Sequence, residues 1–260
     1  MSTQLLIYER AVPISKARHG GMSVKTGDSY EYAAKVNSVP LMATEFAVAA
    51  GEYPVVFAGG DDRVMPCVIL GARGDQNLFV TKDGGWDAKY IPAFIRQYPF
   101  VFASDAKGET LTLCIDEEFK GVNTDGRGER LFDADGNRTS YLEGMLAFSR
   151  EYQAQFRRSE ALCAKLKELD LLEPMRARFR TPAGETMELT GFLAVSRQKL
   201  KALDAETLKG LVSSDMMELI YIHLQSLRHF QALVGRIGAT PQGEAAAEGE
   251  AAAPETEPAT

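Results

Sequence analysis

The hydrophobic period of this chain changes near residue 135, and that change limits the fold more than any single motif. Before it, apolar runs of strand length alternate with turn signals. Tyr53 to Phe57 and the run MPCVILGAR flank Gly59-Gly60-Asp61-Asp62, and FVFAS and TLTLCID flank an Asp-Ala-Lys-Gly turn, so each pair predicts a hairpin. After it, Leu142, Met145, Leu146, Phe148, Ser149, Tyr152, Phe156, Leu162, Leu166 and Leu169 recur at steps of three and four, which predicts a helix over 141–171 with Thr139 or Ser140 as its cap. Pro174 ends that helix, and residues 177–195 read as a hairpin around Pro182-Ala183-Gly184. Asp204 caps a helix over 205–212, and Ser214 or Asp215 opens a long amphipathic helix that stops at Gly238. Less regular signals predict helix-like spacing over 41–49, a short strand over 77–81, a helical turn or two within 88–96, and mostly loop over 121–136. The result is a single α+β domain over 1–238, with a β-rich N-terminal half built of hairpins and a helical C-terminal half carrying one inserted hairpin.

Residues 239–260 differ in kind. They repeat Ala, Glu, Pro, Gly and Thr with no aromatic or branched apolar residue, a composition that cannot offset the entropy of ordering and predicts a disordered acidic tail. This segment holds five glutamates and no basic residue, so it supplies five of the seven net negative charges. The remaining domain is nearly neutral, which argues against nucleic acid as a partner. No window approaches a membrane span, and the first residues lack a basic segment followed by a long apolar stretch. The expected location is the cytoplasm. Cys67, Cys114 and Cys163 are widely spaced, and the first two sit in apolar strand-like runs, so they read as buried small hydrophobes in a reducing compartment.

Standard catalytic and cofactor motifs are absent: there is no G-x-S-x-G, no P-loop, no H-E-x-x-H and no G-x-G-x-x-G after a strand. No cofactor and no metal site is expected. Of the three histidines, His223 and His229 are six apart on one predicted helix, a rotation of roughly 240° net that makes a shared metal site geometrically poor. His223 and Ser226, at i and i+3, share a face. The weak catalytic candidates are therefore His19 in a glycine-rich loop, Asp116 and Glu117 at the end of a strand, and the His223–Ser226 pair. Glu118 would share a side with Asp116 if the strand alternation continued, and each of these groups also has a purely structural reading as a satisfied core histidine or a solvated strand end.

Gln76 to Phe100, QNLFVTKDGGWDAKYIPAFIRQYPF, gathers the only tryptophan, three phenylalanines and two tyrosines around a Gly-Gly turn. Phe79, Ile91, Phe94, Ile95 and Phe100 read as core. Asn77, Trp86, Tyr90 and Arg96, with Asp83 nearby, are the binding candidates, because Trp, Tyr and Arg are the residue types enriched at binding hot spots.

This block resembles the NLF...G.W...YIPAFIR.YPF block of the bacterial SapC-like family. Further stretches resemble the same family: PLMATEFAVAAGEYPVVF, LCIDEEF with the following LFD, YLEGMLAF, LLEP, LTGFLAVSRQKLKAL and HLQSL. Ser196 departs from the pattern, which leads us to expect an acidic residue after GFLAV, and the acidic tail lies outside it. Through its namesake, the resemblance implies a link to the paracrystalline surface layer of certain Gram-negative bacteria. An unrelated peptide-transport permease shares the name, and the missing membrane span sets it apart. The expectation is an accessory or binding protein of surface-layer or envelope functions, contacting a protein or glycan through the aromatic block, with surface association requiring unconventional export. The alternative is an intracellular enzyme acting on a peptide, sugar or small metabolite near His19, Asp116, Glu117 and Arg96.

Overall fold

The computed structural model describes residues 6–27, 29–60, 63–104, 111–180, 184 and 186–239. The expected disordered tail beyond Ala239, the Asp-Ala-Lys-Gly turn, Asp61-Asp62 and Pro182-Ala183 lie outside these residues. In chain order the elements are β1 (Ala11–Pro13), α1 (Lys16–His19), β2 (Ser23–Val24), β3 (Ser38–Pro40), α2 (Phe46–Ala49), β4 (Val55–Gly59), β5 (Val64–Ile69), α3 (Ala93–Arg96), β6 (Phe100–Ser104), β7 (Leu111–Asp116), β8 (Val122–Asn123), β9 (Glu129–Arg130) and α4 (Ser140–Glu168). They continue with β10 (Leu172–Arg180), β11 (Thr186–Val195), α5 (Arg197–Ala202), α6 (Ala205–Ser213), α7 (Met216–Ser226) and α8 (His229–Ala239). The α+β class and the change from strands to helices follow the hydrophobic pattern.

Two antiparallel sheets share the work of burial. The larger runs β10-β11-β4-β5-β3, and the smaller runs β1-β7-β6. In β4 and β5, Val55, Val56, Phe57, Cys67, Val68 and Ile69 are all buried, so both faces of this hairpin are covered. The helix α4 crosses β5 and β6, while α7 packs on β4 and β11 and α8 on β10. Thr139 caps α4 by accepting the Leu142 N–H (3.3 Å), and Asp204 caps α6 by accepting the Thr207 N–H (2.9 Å). Cys67, Cys114 and Cys163 are free and buried, and burial pushes the Cys67 thiol up to about 12.

Four local readings change. The hairpin β10/β11 is part of the large sheet and no longer a small insertion among helices, because Leu193 of β11 pairs with Phe57 of β4. Residues 77–81 form no strand: the Gly-Gly turn is closed by a single bridge between Val80 and Trp86. Gly84 in that turn has φ +83°, and a Cβ there would come within 2.3 Å of Ser29 Oγ, so the turn requires glycine. Residues 121–136 contain β8 and β9, which flank β2 in a third small sheet. The long C-terminal helix is divided into α7 and α8, and at the division Ser226 Oγ donates to the His223 carbonyl (2.6 Å).

Candidate functional site

Asp116, the last residue of β7, is fully buried and carries four donors on two oxygens. Oδ2 accepts the Glu9 N–H (2.8 Å) and the Tyr98 hydroxyl (3.2 Å); Oδ1 accepts the N–H groups of Arg10 (3.0 Å) and Glu118 (3.2 Å). It therefore fastens the incoming segment before β1 to the end of β7. Burial, and next the charge of Asp116, raise the Tyr98 hydroxyl above its ordinary range. Because β7 ends here, alternation does not continue. Glu118 turns outward to Arg10 (3.6 Å) and does not join Asp116.

Glu117 lies between them and gathers the basic loop. Arg18 donates from Nε and Nη2 to both carboxylate oxygens, His19 Nε2 lies 3.2 Å from Oε1, and Arg10 lies 3.8 Å from Oε2. The Arg18 hydrogen bonds hold this carboxyl below its usual range against a desolvation penalty, and the charges of Arg18, Arg10 and His19 add to them. His19 is fully buried; its Nδ1 lies 3.2 Å from both the Ser15 N–H and the Ser15 carbonyl, and its Nε2 faces Glu117. The Nε2 to Oε1 approach is close but out of line for a hydrogen bond. The structure brings His19 and Glu117 together, whereas Arg96 belongs to a different cluster.

His223 and Ser226 do share a face, and both serve backbone. The ring donates from Nδ1 to the Val55 carbonyl (2.7 Å) and accepts the Val195 N–H at Nε2 (3.0 Å), while Ser226 Oγ accepts the Val55 N–H (2.9 Å). They bridge β4 and β11 where the two strands share only one register pair. Burial lowers the His223 pKa to about 4, with the Arg197 charge acting the same way and the Val55 hydrogen bond opposing both.

Of the binding candidates, Asn77 is buried, Trp86 and Tyr90 are half-buried and Arg96 is exposed. Asn77 donates to the Ala33 carbonyl (3.0 Å) and accepts the Phe79 N–H (2.9 Å). Trp86 Nε1 donates to the Tyr53 hydroxyl (2.9 Å), which itself donates to the Tyr90 carbonyl. The Tyr90 hydroxyl donates to Glu45 (2.7 Å), and Arg96 lies over the rings of Tyr90 and Phe148, with Nε donating to the Ile91 carbonyl (2.9 Å). Ring contacts link Trp86 through Tyr30 and Tyr32 to Tyr98, and so to Asp116. Asp83 stays in the exposed turn, accepting the Thr81 hydroxyl. Trp86→Phe keeps a ring in this row but removes the donor, so urea denaturation should show a loss of about 1 kcal/mol. An unchanged midpoint would return Trp86 to the role of a surface contact.

None of these residues lines the cavity enclosed by the two sheets and α4. A cavity of about 440 Å³ lies between β3 and β5 on one side and β6 on the other, with α4 across it. Val101, Phe102, Leu111, Phe94 and Phe156 make its apolar wall, Ser149 and Gln97 are buried polar groups within it, and Arg63 and Arg157 are exposed. Among the described residues no group of three or more His, Cys, Asp or Glu side chains is placed to hold a metal ion, and no helix is long and apolar enough to cross a membrane.

A model of the SapC family matches residues 14–233, which includes the aromatic block, Asp116, α4 and most of the cavity wall. The chain belongs to the SapC family. No curated protein and no solved structure matches it.

Two features of this SapC chain escaped the sequence reading. Glu45 is buried and accepts the N–H groups of Met42 (2.8 Å) and Ala93 (2.7 Å) as well as the Tyr90 hydroxyl. Its signal was an acidic residue inside the apolar stretch PLMATEFAVAA. Ser149 is the other: it lies on the apolar stripe of α4, and its hydroxyl has no hydrogen-bond partner among the described residues.

Proposed function

We propose that this SapC-family protein is an accessory binding protein of envelope or surface-layer functions, and that its ligand occupies the cavity between the two sheets and α4. The carrying observation is the contrast between two sets of groups. Asp116, His223, Ser226, Asn77 and Glu45 are each engaged by backbone N–H or carbonyl groups, whereas the cavity holds a buried hydroxyl, Ser149, with no partner among the described residues. Its volume falls within the range of small-molecule sites, roughly 300–1,000 Å³, and its lining combines apolar walls with a few polar groups as such sites do. The envelope setting is supported by the family's namesake alone. The reading places the protein in the cytoplasm or at the cell surface, and it leaves the aromatic block as the internal brace of the binding domain.

The test is a titration with Nile red, an uncharged apolar probe. Saturable binding is expected in the full-length protein. It should fall at least tenfold in Met65→Trp and in Phe102→Trp, which fill the cavity from opposite walls while circular dichroism stays unchanged. Equal binding by the parent and by both filled variants would overturn the assignment of the site.

A further inference from the structure

The charge around the cavity is one-sided. The protein carries a formal net charge of −7, yet among the described residues two arginines and no carboxylate line this space. Arg63 is balanced, since it pairs with Glu160 (2.7 Å) and lies over the Phe156 ring (4.7 Å). Arg157 makes no ion pair or hydrogen bond among the described residues. It can therefore accept an anion without breaking a bond within the protein. On the same helix, Ser149, Gln153 and Arg157 follow one another at steps of four, so they form a polar stripe along one side of α4 that lines the cavity.

The two ends of that stripe differ in a way that describes a ligand. Arg157 is exposed and cationic, while Ser149 is only 1% exposed. Eight residues of helix separate them, about 12 Å along the axis at 1.5 Å per residue. Between and opposite them the surface is Phe94, Val101, Phe102, Leu111 and Phe156. A buried hydroxyl without a partner is destabilising, a penalty removed if the bound molecule brings an oxygen to it.

We propose that the cavity takes a free, medium-length acyl acid whose carboxylate meets Arg157 and whose chain carries a second oxygen near its far end, paired with Ser149. The second oxygen distinguishes this ligand from a membrane phospholipid, whose acyl chains end in methyl groups. This proposal deepens the cavity-binding reading and rests on it.

Displacement of Nile red from the full-length protein tests it, with 10-hydroxydecanoate, decanoate and decane-1,10-diol as competitors. The hydroxy acid is expected to bind about tenfold more tightly than decanoate. That preference should vanish in Ser149→Ala. The hydroxy acid should also bind at least tenfold more tightly than the diol, and this gap should close in Arg157→Gln. Nile red binding without displacement by the hydroxy acid would overturn the ligand class while leaving the cavity reading intact. So would acid and diol competing equally, or a hydroxyl preference that persists in Ser149→Ala. Absence of saturable Nile red binding would remove both.

Discussion

Asp116→Ala should lower the unfolding free energy of this protein by about 4 kcal/mol, more than any other single carboxylate replacement in the N-terminal half. The carboxylate accepts three backbone N–H groups and the Tyr98 hydroxyl, and all four lose their acceptor together. A stranded donor costs about 1–3 kcal/mol, and hydrogen bonds to a charged acceptor lie at the upper end of net contributions; water reaching the exposed residues Glu9 and Arg10 offsets part of the sum. Asp116→Asn keeps the volume and one oxygen but points an amide donor at other donors, so it should cost about half as much. Glu118→Ala is the control, because Glu118 is exposed and its pair with Arg10 is a surface contact worth at most about 1 kcal/mol. Urea unfolding of the three variants decides the matter. If Asp116→Ala is no less stable than Glu118→Ala, Asp116 does not fasten β1 to β7, and it becomes available again as a functional carboxylate.

The same residue shows how far sequence can be read. That Asp116 closes a strand was visible from TLTLCID, as were the hairpins β4/β5 and β6/β7, the helix α4 and the caps Thr139 and Asp204. These are local: period, turn residues and capping side chains act within a few positions of one another. The partners of Asp116 were not visible, since Glu9 lies 107 residues away and nothing in residues 6–10 announces that its N–H groups need an acceptor. The joining of β11 to β4 failed for the same reason. A hairpin's edge carries no label for the strand it will meet, and here a single register pair is reinforced by side chains from α7.

The candidate site was less legible still, because it is a product of packing. Its walls come from Leu6, Ser38, Ala58, Met65, Phe102 and Gln153, from segments that share no motif. Trp86, Tyr90 and Arg96 attracted notice by residue type, yet type cannot tell a ring that faces a partner from one whose N–H or O–H is spent on Tyr53 or Glu45. The informative residues were those that broke a pattern. Glu45 interrupts an apolar stretch and becomes a hub of three hydrogen bonds, and Ser149 interrupts the apolar stripe of α4 and lines the cavity.

A second large effect should appear as a dependence of stability on pH, and its sign follows from His223. Its folded pKa is lowered to about 4 from the ordinary 6.5, chiefly by burial. Above about 6.5 both folded and unfolded chains hold the ring neutral, and the contribution is complete. Between about 6.5 and about 4 the unfolded chain binds a proton that the folded chain refuses, so stability falls as the pH falls. The total is about 3 kcal/mol, from roughly 1.4 kcal/mol per pH unit across the gap. His229 is lowered by burial as well, so the parent curve alone does not isolate the term. His223→Gln isolates it, because an amide can still accept the Val195 N–H and donate to the Val55 carbonyl but does not titrate. Unfolding free energies measured from pH 7 to pH 4 should fall by about 3 kcal/mol more in the parent than in the variant. Parallel curves would sink the assignment. The expected slope would instead locate the acid sensitivity of the fold at the seam where α7 holds β4 against β11, on the opposite hairpin edge from the strand β3 that borders the cavity.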